Sequence, residues 1–190
     1  MSTEILPIPA ASVLILRDPL EVLMILRHEK SSFVPGAWVF PGGAVDAADG
    51  AAGSQDALRR AALREVLEET GVSLESDLVL TSRWITPEGM PKRFDTWFYL
   101  ASAPSDLVIT LEQKEAVEFR WITPAEALKR QTSGEFPMVF PTIRNLEALL
   151  PFRSATEAIE ARRNAVIEPV QPVLVIEDGM EDGRKRIRLP

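Results

Sequence analysis

Between Arg64 and Val72 the chain reads Arg-Glu-Val-Leu-Glu-Glu-Thr-Gly-Val. An α-helix turns about 100° per residue. With Arg64 at zero, Glu68 falls near 40°, Glu65 near 100° and Glu69 near 140°, so three carboxylates share an arc of about 100°. Ala62, Leu63, Val66, Leu67 and Thr70 fill the remaining arc, the one expected to pack on a sheet. Like charges on adjacent turns repel by a few tenths of a kcal/mol per pair when exposed. Arg60 and Arg64 flank the arc and offset part of this. A hard divalent cation would offset more, because magnesium sites are built from carboxylate, carbonyl and water oxygens. The plainer alternative is the solvated face of an ordinary surface helix.

Composition narrows the other chemistries. The chain has 190 residues, 46% of them apolar and 26% charged, a globular composition with material for about one domain. Cysteine is absent and His28 is the single histidine. A thiolate nucleophile and a cysteine metal site are therefore excluded, and a serine triad or histidine metal site would rest on His28 alone. Carboxylates are the groups left to carry a reaction. The net charge of −7 opposes sequence-independent binding to a phosphate backbone, so no nucleic-acid partner is expected. The apolar run Ile5–Leu16 is too short to span a bilayer and lacks the basic start of a secretory signal. A cytoplasmic protein without a membrane partner is expected.

The elements that must position the acids follow from pattern. Ser12–Arg17 and Glu21–His28 read as a hairpin around Asp18-Pro19-Leu20. Trp38-Val39-Phe40 is a short strand stopping at Pro41-Gly42-Gly43, and residues 46–56 are small and polar, a loop. A helix is expected from Ala57 to Thr70, with Gly71 as its stop. Strands follow at Leu78–Ile85, Arg93–Ala101 and Val117–Ile122. Thr123-Pro-Ala-Glu126 is a capping box opening a helix, and Pro141–Leu150 is another helix. Val173–Ile176 and Arg186–Leu189 are placed as a late hairpin around Asp178-Gly179. The whole, residues 1–190, reads as a single domain with an N-terminal arm and a C-terminal extension.

The string from Arg64 to Val72, preceded by Phe40-Pro41-Gly42-Gly43, resembles the Nudix box of the Nudix hydrolases: G-x5-E-x7-R-E-U-x-E-E-x-G-U, with U a bulky aliphatic. Every fixed position from Arg64 onward matches. The spacing before it departs: Gly43 lies 21 residues before Arg64, where the box has fourteen. Either Gly50 and Asp56 imitate the standard spacing, or Gly43 keeps the turn and residues 46–53 loop out. The second is preferred, with Asp56 standing in for the box glutamate that pairs with the arginine. An interrupted box, with Arg83-Trp-Ile-Thr-Pro and Arg93-Phe-Asp-Thr, also resembles the branch that includes coenzyme A diphosphatases.

The resemblance implies an α/β fold, a Nudix-type α/β/α sandwich with a mixed sheet. It implies hydrolysis of the diphosphate bond in a nucleoside diphosphate derivative, of coenzyme A or ADP-ribose type, with Mg2+ or Mn2+. The alternative is a non-catalytic nucleotide sensor on the same fold. Glu65, Glu68 and Glu69 are then metal ligands and catalytic groups, with the Gly42 carbonyl as a further ligand, and Arg64 orients the cluster. A carboxylate from outside the box is expected at Glu115 first and Glu118 second, since Glu118 has a surface partner in Arg120. Arg27, Arg93 and Trp97 are the substrate-binding candidates. The basic residues Arg184, Lys185, Arg186 and Arg188 protect an edge strand or, alternatively, contact a partner copy in a homodimer.

Overall fold

A computed structural model describes residues 5–31, 33–75, 77–176 and 185–189. The strands are β1 (Ile8–Arg17), β2 (Glu21–Arg27), β3 (Trp38–Val39), β4 (Gly42–Ala44), β5 (Val79–Ile85), β6 (Phe94–Ser102), β7 (Ala116–Ile122), β8 (Pro169–Val170), β9 (Val173–Ile176) and β10 (Lys185–Arg188). The helices are α1 (Gln55–Thr70), α2 (Pro124–Ser133), α3 (Phe140–Leu149) and α4 (Ala155–Arg162), with a 3-10 turn at Ala47–Asp49.

Eight strands make one mixed sheet in the order β3-β2-β1-β6-β5-β8, with β4 added on β1 and β7 on β2. β1 and β6 run parallel, from Ile8 opposite Phe94 to Leu16 opposite Ser102. The β1–β4, β2–β7 and β5–β6 pairs are antiparallel. Side chains alternate along a strand, so β1 sends Ala11, Val13 and Ile15 to one face and Leu14 and Leu16 to the other. The first face packs on Leu58, Ala61, Ala62 and Val66 of α1. The second packs on Trp38, Phe136, Leu146, Leu149 and Ile159, with Trp38 and Phe136 stacked at 4.2 Å between ring centroids. Each buried leucine or isoleucine in these layers contributes about 1.5–3 kcal/mol. The α/β/α sandwich on a mixed sheet is the observed architecture.

Local chemistry sets the helix ends. The Ser54 hydroxyl accepts a hydrogen bond from Ala57 N, which starts α1 two residues before the expected Ala57. Gly71, at φ 70°, ends it in the left-handed conformation that glycine adopts without strain. Thr123 accepts from Glu126 N at 3.3 Å, one half of the expected capping box, while the Glu126 carboxylate accepts from Arg130 Nε at 2.8 Å. The strand β4 was not expected: two of its three residues are glycines, which disfavour strands. Nor was α4, although Ser154, which accepts from Glu157 N at 3.1 Å, carries a readable cap signal. The late hairpin forms by pairing of β9 with β10; its turn at Asp178-Gly179 lies outside the described residues. Among the described residues, no helix is long and apolar enough to cross a membrane.

The orientation of α1 corrects the sequence reading. Leu63 and Leu67 point outward, 37% and 51% exposed, whereas Glu69 is 1% exposed. The buried set is Ala57, Leu58, Ala61, Ala62, Val66, Glu69 and Thr70. On the same wheel Leu58 falls near 120° and Ala62 near 160°, so Glu65 and Glu69 continue the packing stripe. The first three turns lay that stripe on the sheet. The last turn aims it, now as carboxylates, at the two glycines of β4.

Candidate functional site

The site is built where the end of α1 crosses β4. Gly42 N donates to Glu69 Oε2 at 2.8 Å. A Cβ at Gly43 would lie 2.4 Å from Glu65 Oε1, so the missing side chain is what lets this carboxylate rest against the strand. A Cβ at Gly42, at φ 153°, would meet the backbone of Ala11 and Ser12 on β1 at 2.3–2.5 Å.

Glu115 completes the group from the turn before β7. Its placement follows from a backbone seam: Thr110 N donates to Thr70 O at 2.9 Å, and Glu112 N to Glu69 O at 3.0 Å. This seam caps the carbonyls at the end of α1 and holds the 110–112 segment against the helix. His28 N donates to Glu115 O at 3.1 Å, fixing the turn to the end of β2. One oxygen from each of Glu65, Glu69 and Glu115 lies within 4.8 Å of the other two.

Three carboxylates at that separation repel unless protons or cations intervene. Burial is the main reason that the Glu69 carboxyl is pushed up to about 8; the Gly42 N–H opposes the shift and the Glu65 charge adds to it. Burial also raises Glu65, against the Arg64 guanidinium beside it.

Arg64 is the hub of the polar network. It donates to both oxygens of Asp49, at 3.1 and 2.8 Å, to Glu65 Oε1 at 2.8 Å, to Glu68 Oε2 at 3.0 Å and to Ala44 O at 3.0 Å. This hydrogen bonding holds the Asp49 carboxyl below its ordinary range and drives Arg64 higher. Asp56, the expected partner, is exposed at the start of α1. Asp49, from the inserted 46–53 segment, takes its place and is 4% exposed. A signal existed: Asp46 and Asp49 form a capping box, with Asp46 N donating to Asp49 Oδ2 at 2.8 Å.

The remaining candidates separate. Glu68 is 59% exposed on its side chain, turned onto Arg64 and outside the three-carboxylate group. Arg27, at the end of β2, places Nη1 3.8 Å from Glu69 Oε1, and its buried Nε has no hydrogen-bond partner. Arg93 is buried instead, donating to Thr86 O and Ile5 O, so its guanidinium serves the backbone and is withdrawn from solvent. Trp97 shares the α1 face of the sheet, beside Ala11, with the Arg83 guanidinium 4.8 Å from its ring centre. Arg83 in turn holds Asp95 through two bonds of 2.8 and 2.6 Å. Glu118 pairs with Arg120 at 2.6 Å. His28 Nδ1 accepts from Lys30 N at 3.0 Å, a local turn bond.

Comparison with known proteins identifies the family of the fold. Residues 6–140 match the family described as NUDIX domain. A putative nudix hydrolase 7 of Caenorhabditis elegans is 31% identical over 74% of this chain and 59% of its own length. An RNA pyrophosphohydrolase of Dinoroseobacter shibae is 38% identical over 48% of this chain and 63% of its own. The acyl-coenzyme A diphosphatase NUDT19 of Xenopus laevis is 28% identical over 54% of this chain and 28% of its own. The chain thus spans under two thirds of each of these relatives. A crystal structure of a NUDIX hydrolase from Alicyclobacillus acidocaldarius superposes with a TM-score of 0.74 at 27% identity, covering 81% of this chain and 96% of that one.

Proposed function

The chain belongs to the NUDIX domain family, and from that premise we propose that it is a divalent-metal-dependent hydrolase of the diphosphate bond in a nucleoside diphosphate derivative, of coenzyme A or ADP-ribose type. The observation that carries this reading is the convergence of Glu65, Glu69 and Glu115 within 4.8 Å. Oxygen donors of this kind suit Mg2+ or Mn2+. Glu65, Glu69 and Glu115 would hold the cation, with the Gly42 carbonyl as a further donor and Glu68 closing the outer side. When bound, the cation supplies charge neutralisation at the phosphoryl oxygens and a more acidic water.

The chain's own groups do the rest. Arg64, fixed by Asp49, holds Glu65 in place. Arg27, with Nη1 3.8 Å from Glu69 Oε1, brings a guanidinium to the cluster, a donor suited to a phosphoryl oxygen. Glu115, the exposed member, accepts a proton from the attacking water. Water adds to one phosphorus, the bridging P–O bond breaks, and two phosphomonoesters leave. Phosphoryl transfer asks mainly for such positioning and electrostatics. Trp97, on the same sheet face, offers a ring to the nucleobase or another flat group.

The test is phosphomonoester release from coenzyme A, acyl-coenzyme A, ADP-ribose, NADH, diadenosine polyphosphates, nucleoside triphosphates and 5′-triphosphorylated RNA, with and without Mg2+. Metal-dependent turnover of coenzyme A or ADP-ribose compounds is expected. Tight binding without turnover of any of them would replace the enzyme with a sensor. Preference for the RNA would move the substrate class.

A further inference from the structure

A second cluster of charge lies at the other end of α1. Arg59, Arg162 and Arg163, together with Asp77, line one cleft of about 320 Å3 beside Leu78 and the first residues of β5, Val79 and Leu80. Arg59 is ten residues before Glu69 on α1, about 15 Å along the axis. The cleft is therefore separate from the carboxylate group.

Two of the three guanidiniums are held by groups that leave their charge intact. Arg59 donates to Leu78 O at 2.8 Å and packs over the buried Tyr99 ring, 5.6 Å from its centre. Arg162 donates to Thr81 Oγ1 at 3.1 Å and Thr81 O at 2.8 Å. Among the described residues, neither meets a carboxylate. Arg163 does: Glu160 at 3.0 Å, and Asp77, 87% exposed, at 3.7 Å. Backbone carbonyls and the Thr81 hydroxyl fix Arg59 and Arg162 without neutralising them, so two uncompensated cations and one shared cation line the same space as Asp77. This happens in a chain whose net charge is −7. Among the described residues Arg59 leaves its Nε–Nη2 pair unused, a fork that fits a phosphate bidentately, and Arg162 leaves Nη1. The cleft volume is at the lower end for small-molecule sites, too small for a macromolecule's surface.

We propose that the Arg59–Arg162–Arg163 cleft binds the phosphate group of a small phosphorylated molecule, at a site distinct from the carboxylate cluster. Inorganic phosphate, inorganic pyrophosphate and adenosine 5′-monophosphate share the required chemistry and serve as probes. Titrations with EDTA present keep metal-borne phosphate away from the glutamates. The wild-type arginine Nε–Hε resonances of Arg59, Arg162 and Arg163 should shift together and saturably, and more for one probe than the others identifies the source. Arg59→Gln/Arg162→Gln should weaken calorimetric binding at least tenfold, and Arg163→Gln less. Glu65→Gln/Glu69→Gln should leave it unchanged, which separates this site from the hydrolytic one. Unshifted arginine resonances, or equal affinity in wild type and the arginine variants, would overturn the proposal and leave the arginines as guards of an open sheet edge. Because the resonances are read on wild-type protein, a folding defect in a variant does not blunt the test.

Discussion

The Glu65 carboxylate occupies the volume that a side chain at Gly43 would fill, with 2.4 Å between Oε1 and the position of the missing Cβ. A strand and a helix approach this closely only because the strand has no side chain there. Gly43→Ala should therefore push Glu65 out of the cluster. Metal affinity, read by calorimetry, should fall about 10–100-fold, the range for groups that orient a ligand. Gly43 φ is not in the glycine-favoured region, so the melting temperature should move little. Unchanged metal affinity would mean that Glu65 is not a ligand.

Glu69→Gln should abolish or sharply weaken binding of Mg2+ and Mn2+ in the same titration. In the wild type, affinity should rise with pH through about 8, because the cation displaces the proton that burial keeps on Glu69. The stability of the metal-free protein has the opposite sign. The folded pKa is raised, so the contribution is full below about 4.5, the ordinary value, and declines as pH rises toward about 8. Urea melts across this window should show the decline in wild type and a flatter profile in Glu69→Gln. Identical profiles would place the raised proton elsewhere.

Arg64→Ala should lower kcat more than it changes KM, because Arg64 touches Asp49 and the glutamates rather than open solvent. Asp49→Asn should repeat the pattern more weakly. The double variant should fall short of the sum of the two, since both act in one network. A large KM rise with intact kcat would make Arg64 a substrate contact.

Glu115→Gln should cut kcat by roughly 10²–10⁴, the usual range for a general base. Glu118→Gln, which removes only an exposed pair with Arg120, should remain within a few-fold of wild type. The reverse ranking would transfer the role to Glu118.

The layers of the fold were readable because they are written in local sequence: β1 is a near-continuous apolar run, as a strand covered on both faces requires, and the Thr123 and Gly71 caps are local codes. The acids of the helix were readable for the same reason. Their facing was not, because a wheel built on hydrophobicity assigns Leu63 and Leu67 inward and carboxylates outward. Only the bare strand opposite allows Glu69 to be the buried residue. Asp49 was missed because counting along the chain favours Asp56, whereas the 3-10 turn at Ala47–Asp49 folds the inserted segment back under Arg64. Arg93 has the composition of a substrate contact, and nothing local announces that distant carbonyls of Ile5 and Thr86 will claim it. Glu115 was legible as a loop carboxylate, but not the seam from Thr70 and Glu69 that delivers it.

The division of labour inside the 46–54 segment makes it a natural attachment point. Asp49 fixes Arg64 at one end, and Ser54 opens the helix at the other. Between them Ala51, Ala52 and Gly53 are exposed, and a Cβ at Gly53 would meet nothing within 4 Å. Lengthening a loop costs only about 0.6 kcal/mol per doubling. A short peptide tag or a cysteine for a fluorophore, introduced after Ala52, would thus be carried at the start of α1, a helix length away from the carboxylates at its other end. In a chain with no other thiol, that label would be unique and would leave the carboxylates untouched.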